Sequence, residues 1–346
     1  MLTHLLRRRS GINRSRTGGT VLESSAFWVE SPNVGVLRRE PLPQPGEGEV
    51  LVRTLYTGVS RGTEASVFSG QVPVSEFERM RAPYQDGDFP GPVKYGYLNV
   101  GVVDRGPESL RGRIVFTLFP HQSAFVVPAD AVVPVPAGIP ARRAVLAGAV
   151  ETAVNVLWDA RPLVGDRVSV IGAGMIGCCV ARLLRGIPGV EVVLIDVNPA
   201  RQAVADRLGV GFADAARPPG DRDIVINTSG SAAGLQLSLE TVVTDGEVVE
   251  ASWYGDRPVT LMLGADFHSR RLTIRSSQVG AVAASRRGNR STRERLELAL
   301  RLLHDPAYDA VLTGESSWRD LPEVMATLAR GAPDVLCHTI VWGEPE

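Results

Sequence analysis

Lysine and cysteine are scarce in this chain of 346 residues. Of the 37 basic residues only Lys94 is lysine, and the three cysteines all lie at or after Cys178. Three cysteines, two of them adjacent, cannot form a disulfide framework, so we expect a reducing, cytoplasmic compartment. The single lysine is a candidate of interest because an ammonium differs from a guanidinium in geometry and in titration.

The chain also lacks long apolar runs and a net excess of charge of one sign. No run approaches the about 18 apolar residues of a membrane span, and a formal net charge of −1 gives no reason to expect nucleic acid as a partner. The first 22 residues contain five arginines and no acid. No apolar signal-peptide core follows them, so a basic, disordered tail is predicted there.

What the chain does have is an apolar strand that runs into a glycine-rich turn. Val168–Ile171 precedes a Gly-x-Gly-x-x-Gly motif, and Asp196 follows 19 residues after its last glycine, at the end of a second apolar strand. This order is typical of a dinucleotide site, in which glycines allow a tight turn and the helix N-terminus faces the pyrophosphate. The predicted cofactor contacts are Gly172, Gly174, Met175, Ile176, Gly177, Asp196 and Arg201, with Thr228, Ser229 and Gly230 from a later loop.

The acid at the end of the second strand indicates which dinucleotide binds. A carboxylate at Asp196 accepts hydrogen bonds from ribose hydroxyls and repels a 2′-phosphate, which favours NAD. Arg201, five residues on, could offset that repulsion, which keeps NADP as the alternative. We interpret Arg201 as a surface residue near the adenine.

The rest of the chain divides into a β-rich part and a part in which strands and helices alternate. The length of the chain also favours two domains. Short β-branched runs from Phe27 to about Pro136, punctuated by glycine and proline, predict a barrel, and Pro140–Ala160 has the apolar spacing of a helix. Alternating strands and helices then predict a parallel sheet. The chain is thus predicted to be an α/β protein with a tail (1–22), a β-barrel domain (23–145), a doubly wound nucleotide-binding domain (146–300) and a segment (301–346) that returns to the barrel.

These features resemble the medium-chain dehydrogenases, also called zinc alcohol dehydrogenases. The resemblance covers nearly the whole chain after residue 23, and Ser60–Glu64 and Pro92–Tyr97 are similar to the bacteriochlorophyllide a dehydrogenase subgroup. It implies a GroES-like barrel with catalytic residues, a Rossmann domain, a cleft between them and hydride transfer between alcohols and carbonyls. Similar proteins are commonly dimers, so a homodimer is expected.

The metal pattern of that family is missing. Where it has Cys-Gly-Thr-Asp and Gly-His-Glu, this chain has Arg61-Gly-Thr-Glu and Gly-Tyr97-Leu, and the third ligand position falls at Glu151. One carboxylate cannot form the three-ligand site of a catalytic zinc ion. We therefore expect no metal.

Side chains must then stabilise the substrate oxygen and transfer its proton, which the metal does in that family. We expect an Arg61–Glu151 ion pair at the old metal position, and Tyr97 or Thr63 as proton donor and acceptor. The positive charge of Arg61 or Lys94 should support the reaction, and Arg61 should lower the pKa of Tyr97. His121 and Glu64 are further candidates. Alternative interpretations remain open: Tyr97 packing between domains, His121 in a plain loop, Thr63 capping a turn and Lys94 as a solvated charge.

The far wall of the cleft should come from loops that end the later strands. Trp253 and Tyr254 lie in one of them and favour a ring-bearing substrate, whereas nine arginines between Phe267 and Arg301 form either a rim for an anionic substrate or a solvated surface. The sequence therefore predicts a zinc-independent oxidoreductase that interconverts a secondary alcohol and a ketone. The alternatives are an NADPH-dependent enone or quinone reductase and a non-catalytic NAD-binding sensor or scaffold.

Overall fold

The structure is a computed structural model that describes residues 22–343. The predicted basic tail at 1–22 lies outside the described residues, apart from Leu22. Within the described range, no helix is both long enough and apolar enough to cross a membrane.

The first third of the chain is β-rich, as its short β-branched runs predict. Its strands are β1 (Leu22–Ser31), β2 (Val34–Leu42), β3 (Glu49–Ser60), β4 (Asp86–Gly87), β5 (Val93–Lys94), β6 (Asn99–Arg105), β7 (Ile114–Thr117), β8 (Ala124–Pro128) and β9 (Val133–Pro134). Strands β2-β1-β5-β4 form one antiparallel sheet, and β3 pairs with both β6 and β8 in a second. A short helix, α1 (Thr63–Phe68), follows β3 directly.

Two helices connect this part to the next. The helix predicted over Pro140–Ala160 is interrupted after one turn, giving α2 (Ala141–Ala144) and α3 (Ala147–Ala160). Buried residues of α3 belong to a core cluster that includes Leu98 and Phe116 of the barrel as well as Val170 of the next sheet. The two parts of the molecule therefore share apolar packing along α3.

The second part is a six-stranded parallel sheet, confirming the predicted Rossmann-type architecture. Its elements are β10 (Arg167–Ile171), α4 (Met175–Arg185), β11 (Glu191–Asp196), α5 (Gln202–Leu208), β12 (Gly211–Asp214), β13 (Arg222–Asn227), α6 (Ala232–Thr241), β14 (Val242–Glu250) and β15 (Thr273–Ser276). The strand order is β12-β11-β10-β13-β14-β15. Because the order reverses between β10 and β13, a crevice opens there at the carboxyl ends of the strands, where ligands bind.

The last segment contributes to both parts. It consists of α7 (Thr292–Leu302), β16 (Leu312–Ser317), α8 (Leu321–Ala329) and β17 (Cys337–Val341). Helix α7 packs on α3, whereas β17 pairs antiparallel with β3, with Cys337 opposite Ser60. The end of the chain thus completes the barrel sheet beside the loop that carries Arg61 and Thr63.

Candidate functional site

The glycine-rich turn after β10 has the shape that a pyrophosphate needs. Gly172 adopts a φ of +100°, and a Cβ on Gly177 would lie 1.9 Å from the Gly172 carbonyl oxygen, so neither position accepts a side chain. A Cβ on Gly174 would meet no atom within 4 Å, which leaves open space at the N-terminus of α4. Met175 and Ile176 form the first turn of that helix. Their backbone amides and the helix dipole suit an anion at this place.

Asp196 lies at the carboxyl end of β11, beside that turn. Its Oδ2 accepts a hydrogen bond from the Ala173 amide at 2.7 Å and its Oδ1 accepts one from the Asn198 amide at 2.8 Å. The side chain is half-buried, so its remaining lone pairs are available to ribose hydroxyls. The glycines, the open space and this carboxylate together fit a nicotinamide dinucleotide.

Arg201 is not the surface residue that we expected from the sequence. Its side chain is 4% exposed and donates hydrogen bonds to the carbonyl oxygens of Pro333 and Asp334. Arg61 reaches the same segment and donates to the Ala332 carbonyl at 3.1 Å. Burial and the nearby Arg201 lower the pKa of Arg61, and Asp196 opposes that shift, so both guanidinium groups lie on the adenosine side of the cleft.

The loops after β13 and β14 are bonded to each other at the crevice. Thr228 donates through its hydroxyl to the Gly172 carbonyl at 2.8 Å, and the Ser229 hydroxyl donates to Asn227 Oδ1 at 2.8 Å. The Gly230 amide donates to Ser252 Oγ at 3.0 Å, which joins the first loop to the second. Thr228, Ser229 and Gly230 therefore border the glycine-rich turn, at the edge where a dinucleotide would lie.

Tyr97 lies on the barrel side of the cleft, next to two other hydroxyl groups. Burial raises its pKa well above the usual range and the negative charge of Glu64 raises it further, while hydrogen bonding to Ser60 and Thr63 opposes the shift. The predicted lowering of this pKa by Arg61 is wrong, because Arg61 points elsewhere and a carboxylate lies nearer. Tyr97 thus stays protonated and acts as a hydrogen-bond donor.

A buried chain of polar side chains lies behind these hydroxyls. Trp342 Nε1 donates to Thr57 Oγ1 at 2.9 Å, His121 Nδ1 lies 2.8 Å from the same oxygen, and His121 Nε2 lies 2.7 Å from Glu64 Oε2. Because the indole can only donate, Thr57 is free to give its own proton to Nδ1, and Nε2–H then donates to Glu64. His121 and Glu64 are each 1% exposed, so His121 is a core residue rather than a loop residue exposed to solvent.

The expected Arg61–Glu151 ion pair is wrong. Glu151 pairs instead with Arg295 of α7, at 3.0 Å between Oε1 and Nε, and both side chains are buried. The guanidinium also donates to Asn155 Oδ1 and to the carbonyls of Val279 and Ala281. The position of the family's third metal ligand is therefore held by a cation from a distant helix.

Lys94 is in the barrel wall and not among the cleft hydroxyls. Its Nζ donates to Glu40 Oε2 at 2.7 Å, lies 3.7 Å from Asp86 and sits 5.5 Å above the Trp28 ring. The ammonium is thus neutralised by two carboxylates, and our expectation that it supplies positive potential to a reaction needs correction. Its alternative reading as a solvated charge is wrong as well, since the residue is buried.

The described residues do not fit a catalytic zinc ion. Within residues 22–343, no group of three or more His, Cys, Asp or Glu side chains is arranged to hold a metal. At the three family positions stand a guanidinium turned toward Ala332, a protonated phenol and a carboxylate bound to Arg295. A zinc site needs three ligands with free electron pairs, and this arrangement offers only one of the three, the carboxylate of Glu151.

The two aromatic residues expected on the far wall have different surroundings. Trp253 packs against the same hydrophobic cluster as Tyr97. Tyr254 differs, because its hydroxyl donates to the buried carboxylate of Glu250 at 2.8 Å. Five of the nine arginines form ion pairs, which argues for a neutralised surface and against a rim for anions: Arg270, Arg271, Arg275, Arg293 and Arg295.

Three residues of this site were missed or undervalued in the sequence. Arg295 was counted with the solvated arginines, and its spacing on α7, on the same side as Leu296 and Ala299, was the available signal. Ser60 was noted only as part of a motif. Glu64 is only a further candidate in the sequence, because an acid in the first turn of a helix is common and its burial there cannot be read from the motif.

Comparison with known proteins places this geometry in context. No family model matches the chain. L-threonine 3-dehydrogenase from Mesorhizobium japonicum is 36% identical over 118 residues, which is 33% of this chain and 33% of that protein. The chain therefore aligns with about a third of the length of the curated relatives it matches.

Solved structures match over nearly the full length. RspB from Escherichia coli, named a short chain alcohol dehydrogenase and complexed with NADH, has a TM-score of 0.72 at 17% identity, covering 92% of this chain and 99% of its own. A Sinorhizobium meliloti protein assigned as a zinc-binding dehydrogenase and bound to NADP has a TM-score of 0.73 at 16% identity, with the same coverages of 92% and 99%. The chain therefore has the two-domain fold of the medium-chain, alcohol dehydrogenase-like oxidoreductases.

Proposed function

We propose that this protein is a nicotinamide-dependent oxidoreductase that interconverts a secondary alcohol and a ketone on an apolar or ring-bearing substrate, without zinc. One observation supports it above the others. A nucleotide-shaped turn, closed by Asp196, is combined with a barrel that carries Arg61 and Tyr97 at two of the family's metal-ligand positions, with Thr63 and Ser60 beside Tyr97.

The residues of the cleft can hold both the cofactor and the reacting oxygen. The turn after β10, with the loop at Thr228–Gly230, would hold NAD, which supplies the hydride acceptor when it is bound. The hydroxyls of Tyr97 and Thr63 would donate hydrogen bonds to the substrate oxygen, whose negative charge grows during hydride transfer. Because the pKa of Tyr97 is raised, its hydroxyl keeps its proton at neutral pH and is a constant donor. Trp253 favours a flat, apolar substrate on the opposite wall.

The experiment combines a metal analysis with a hydride-transfer assay. Protein purified without chelators should contain no stoichiometric zinc, should bind NAD in a calorimeter, and should reduce it in the presence of cyclic or aromatic secondary alcohols. Tyr97→Phe and Thr63→Val should each slow turnover. Tyr84→Phe, which changes an exposed tyrosine, is the matched control. Stoichiometric zinc that is needed for turnover would contradict the proposal.

A second candidate is NADPH-dependent reduction of an activated double bond. It is favoured by the two guanidinium groups, Arg61 and Arg201, that lie on the same side as Asp196 and could neutralise a 2′-phosphate. Comparing kcat/KM for NADH and NADPH with ketone and enone substrates separates the two. Tight binding of NAD without hydride transfer to any substrate would instead indicate a sensor or scaffold.

A further inference from the structure

Glu151 is held by one of its two carboxylate oxygens. Oε1 accepts from Arg295 Nε at 3.0 Å, whereas Oε2 makes no hydrogen bond within residues 22–343. Because Oε2 has no partner and is still not one of the buried unpartnered polar atoms, it retains some accessible surface. The Glu151 side chain as a whole is 6% exposed. One oxygen is therefore fixed and the other remains accessible.

The position of Glu151 on α3 places that oxygen beside the cleft. One turn before it, a Cβ on Gly148 would lie 3.9 Å from Tyr97 Cδ2, so this face of the helix abuts the phenol. One turn after it, Asn155 bonds to the loop that follows β15, through the carbonyl of Gln278 and the amide of Ala283. Residues three or four apart share a helix face. Glu151 thus lies between the barrel hydroxyls and a loop at the carboxyl end of the parallel sheet.

Arg295 is built to hold this arrangement. Its side chain is 2% exposed. The guanidinium donates to four protein acceptors: Glu151 Oε1, Asn155 Oδ1 and the carbonyls of Val279 and Ala281. The same cation therefore fixes the carboxylate and the loop opposite it. A planar group with several donors suits this role better than an ammonium would.

The other polar groups of the site either carry their proton already or have their polar atoms engaged. Tyr97 is already protonated, and His121 and Glu64 are enclosed with their polar atoms engaged by Thr57, by each other and by the Ser60 amide. The buried thiols Cys178 and Cys179 of α4 have raised pKa values as well. Among these groups of the described site, Glu151 alone combines an ionisable atom without a partner and a place next to the cleft.

We propose that Glu151 accepts the proton of the alcohol through Oε2, and that Arg295 is the residue that positions it. This inference rests on the proposed function. During oxidation, the alcohol O–H bond breaks and its proton forms a bond to Oε2, while the hydride leaves carbon for the nicotinamide and the C=O bond forms. The alcohol is oxidised and the dinucleotide is reduced. In the reverse direction the protonated carboxyl returns the proton to the oxygen of the ketone.

The charge around Glu151 is consistent with this role. Burial raises the pKa of Glu151 and the charge of Arg295 partly opposes that shift. The charge that acts on it is that of Arg295 from α7, and the ring of Tyr97 lies against the same helix one turn earlier, at Gly148. A base whose pKa lies nearer to neutrality than that of a free carboxylate accepts a proton more effectively.

The test measures alcohol oxidation by Glu151→Gln. Removing a general base typically costs about 10²–10⁴-fold in rate, so kcat should fall within that range while the Kd for NAD stays within about twofold. Glu247→Gln is the matched control, because Glu247 is a Glu–Arg pair partner outside the cleft, bound to Arg275 through both oxygens. Full activity of Glu151→Gln would overturn the inference, and so would loss of bound zinc in that variant.

Arg295 variants separate positioning from support of the fold. In Arg295→Gln the opposing charge is gone, so the pKa of Glu151 should rise and the rising limb of kcat/KM against pH should move to higher pH. Arg295→Lys keeps the charge and should leave the limb in place. A limb that does not move in a folded Arg295→Gln would overturn the positioning role, and if that variant does not fold, Glu151→Gln decides. A wild-type protein that transfers no hydride at all would instead refute the proposed function.

Discussion

Glu151 and Arg295 form a buried ion pair, and we predict that removing one partner affects the free energy of unfolding differently from removing the other. Removing one partner of a buried ion pair typically costs about 3–5 kcal/mol, because the other charge is left uncompensated. In Glu151→Ala the guanidinium keeps three other acceptors, Asn155 and the carbonyls of Val279 and Ala281. The loss should therefore fall near the lower end, about 3 kcal/mol. It should shrink as pH rises through the folded-state pKa of Glu151, because that pKa is raised and the wild type itself loses stability as the buried carboxyl ionises.

The reverse variant, Arg295→Leu, should behave differently. The carboxylate of Glu151 can bind a proton, which removes the buried, unpaired negative charge. Without Arg295 the pKa of Glu151 in the folded state, already raised by burial, should rise further above its unfolded value. A raised folded-state pKa contributes stability that is complete below the unfolded pKa and is lost as pH rises through the folded pKa. Between the folded-state pKa of Glu151 in the wild type and that in the variant, Arg295→Leu should lose about 1.4 kcal/mol per pH unit relative to the wild type.

Urea unfolding at about pH 5 and about pH 8 distinguishes these cases. Glu151→Ala should lose at least as much free energy of unfolding at the lower value as at the higher one, whereas Arg295→Leu should lose more at the higher one. The double variant Arg295→Leu/Glu151→Gln should be free of the pH-dependent part. A loss below about 1 kcal/mol in Glu151→Ala, or a pH-independent loss in Arg295→Leu, would refute the view that this is a buried, mutually neutralised pair.

Three further predictions concern the cleft. Gly177→Ala should abolish NAD binding in a calorimeter, because its Cβ would lie 1.9 Å from the Gly172 carbonyl; unchanged affinity would contradict the assigned turn. Asp196→Ala should weaken NAD more than NADP, measured as the ratio of the two Kd values, and an unchanged ratio would show that Asp196 does not choose the cofactor. Tyr97→Phe should lower kcat about 10²–10³-fold, the usual effect of losing one donor to a developing oxyanion, and retained turnover would remove Tyr97 from that role.

Local patterns in the sequence were sufficient to predict most of the fold. The strand predicted at Val168–Ile171 agrees with β10 within one residue, and the second predicted strand ends at Asp196, as β11 does. Such strands are buried on both faces in a parallel sheet, so they appear as continuous apolar runs between turn signals. The glycine-rich turn was equally readable because only glycine fits where Gly172 and Gly177 lie.

The sequence did not predict which charged side chains pair with each other, because the pairs join elements that are distant in the sequence. Which cation meets Glu151 depends on how α7 packs on α3, a contact between residues 144 positions apart in the sequence. The same holds for Lys94, whose partner Glu40 lies 54 positions away on another strand. A motif fixes where a residue lies within its own element, whereas its partner is chosen by the packing of other elements.

The distribution of charge across the cleft follows from these pairings. A zinc ion would place a positive charge beside the substrate oxygen, where it stabilises the alkoxide directly. At the third family position the cation is Arg295, and it is bound to Glu151, while the hydroxyl of Tyr97 lies near the buried carboxylate of Glu64. If the proposed zinc-free mechanism holds, neither Arg295 nor Arg61, which donates to the Ala332 carbonyl, is free to hold an alkoxide, so the proton and the hydride should leave the alcohol closely together. A protonated phenol as donor, opposite a carboxylate with one free oxygen, provides the two groups that this kind of transfer requires.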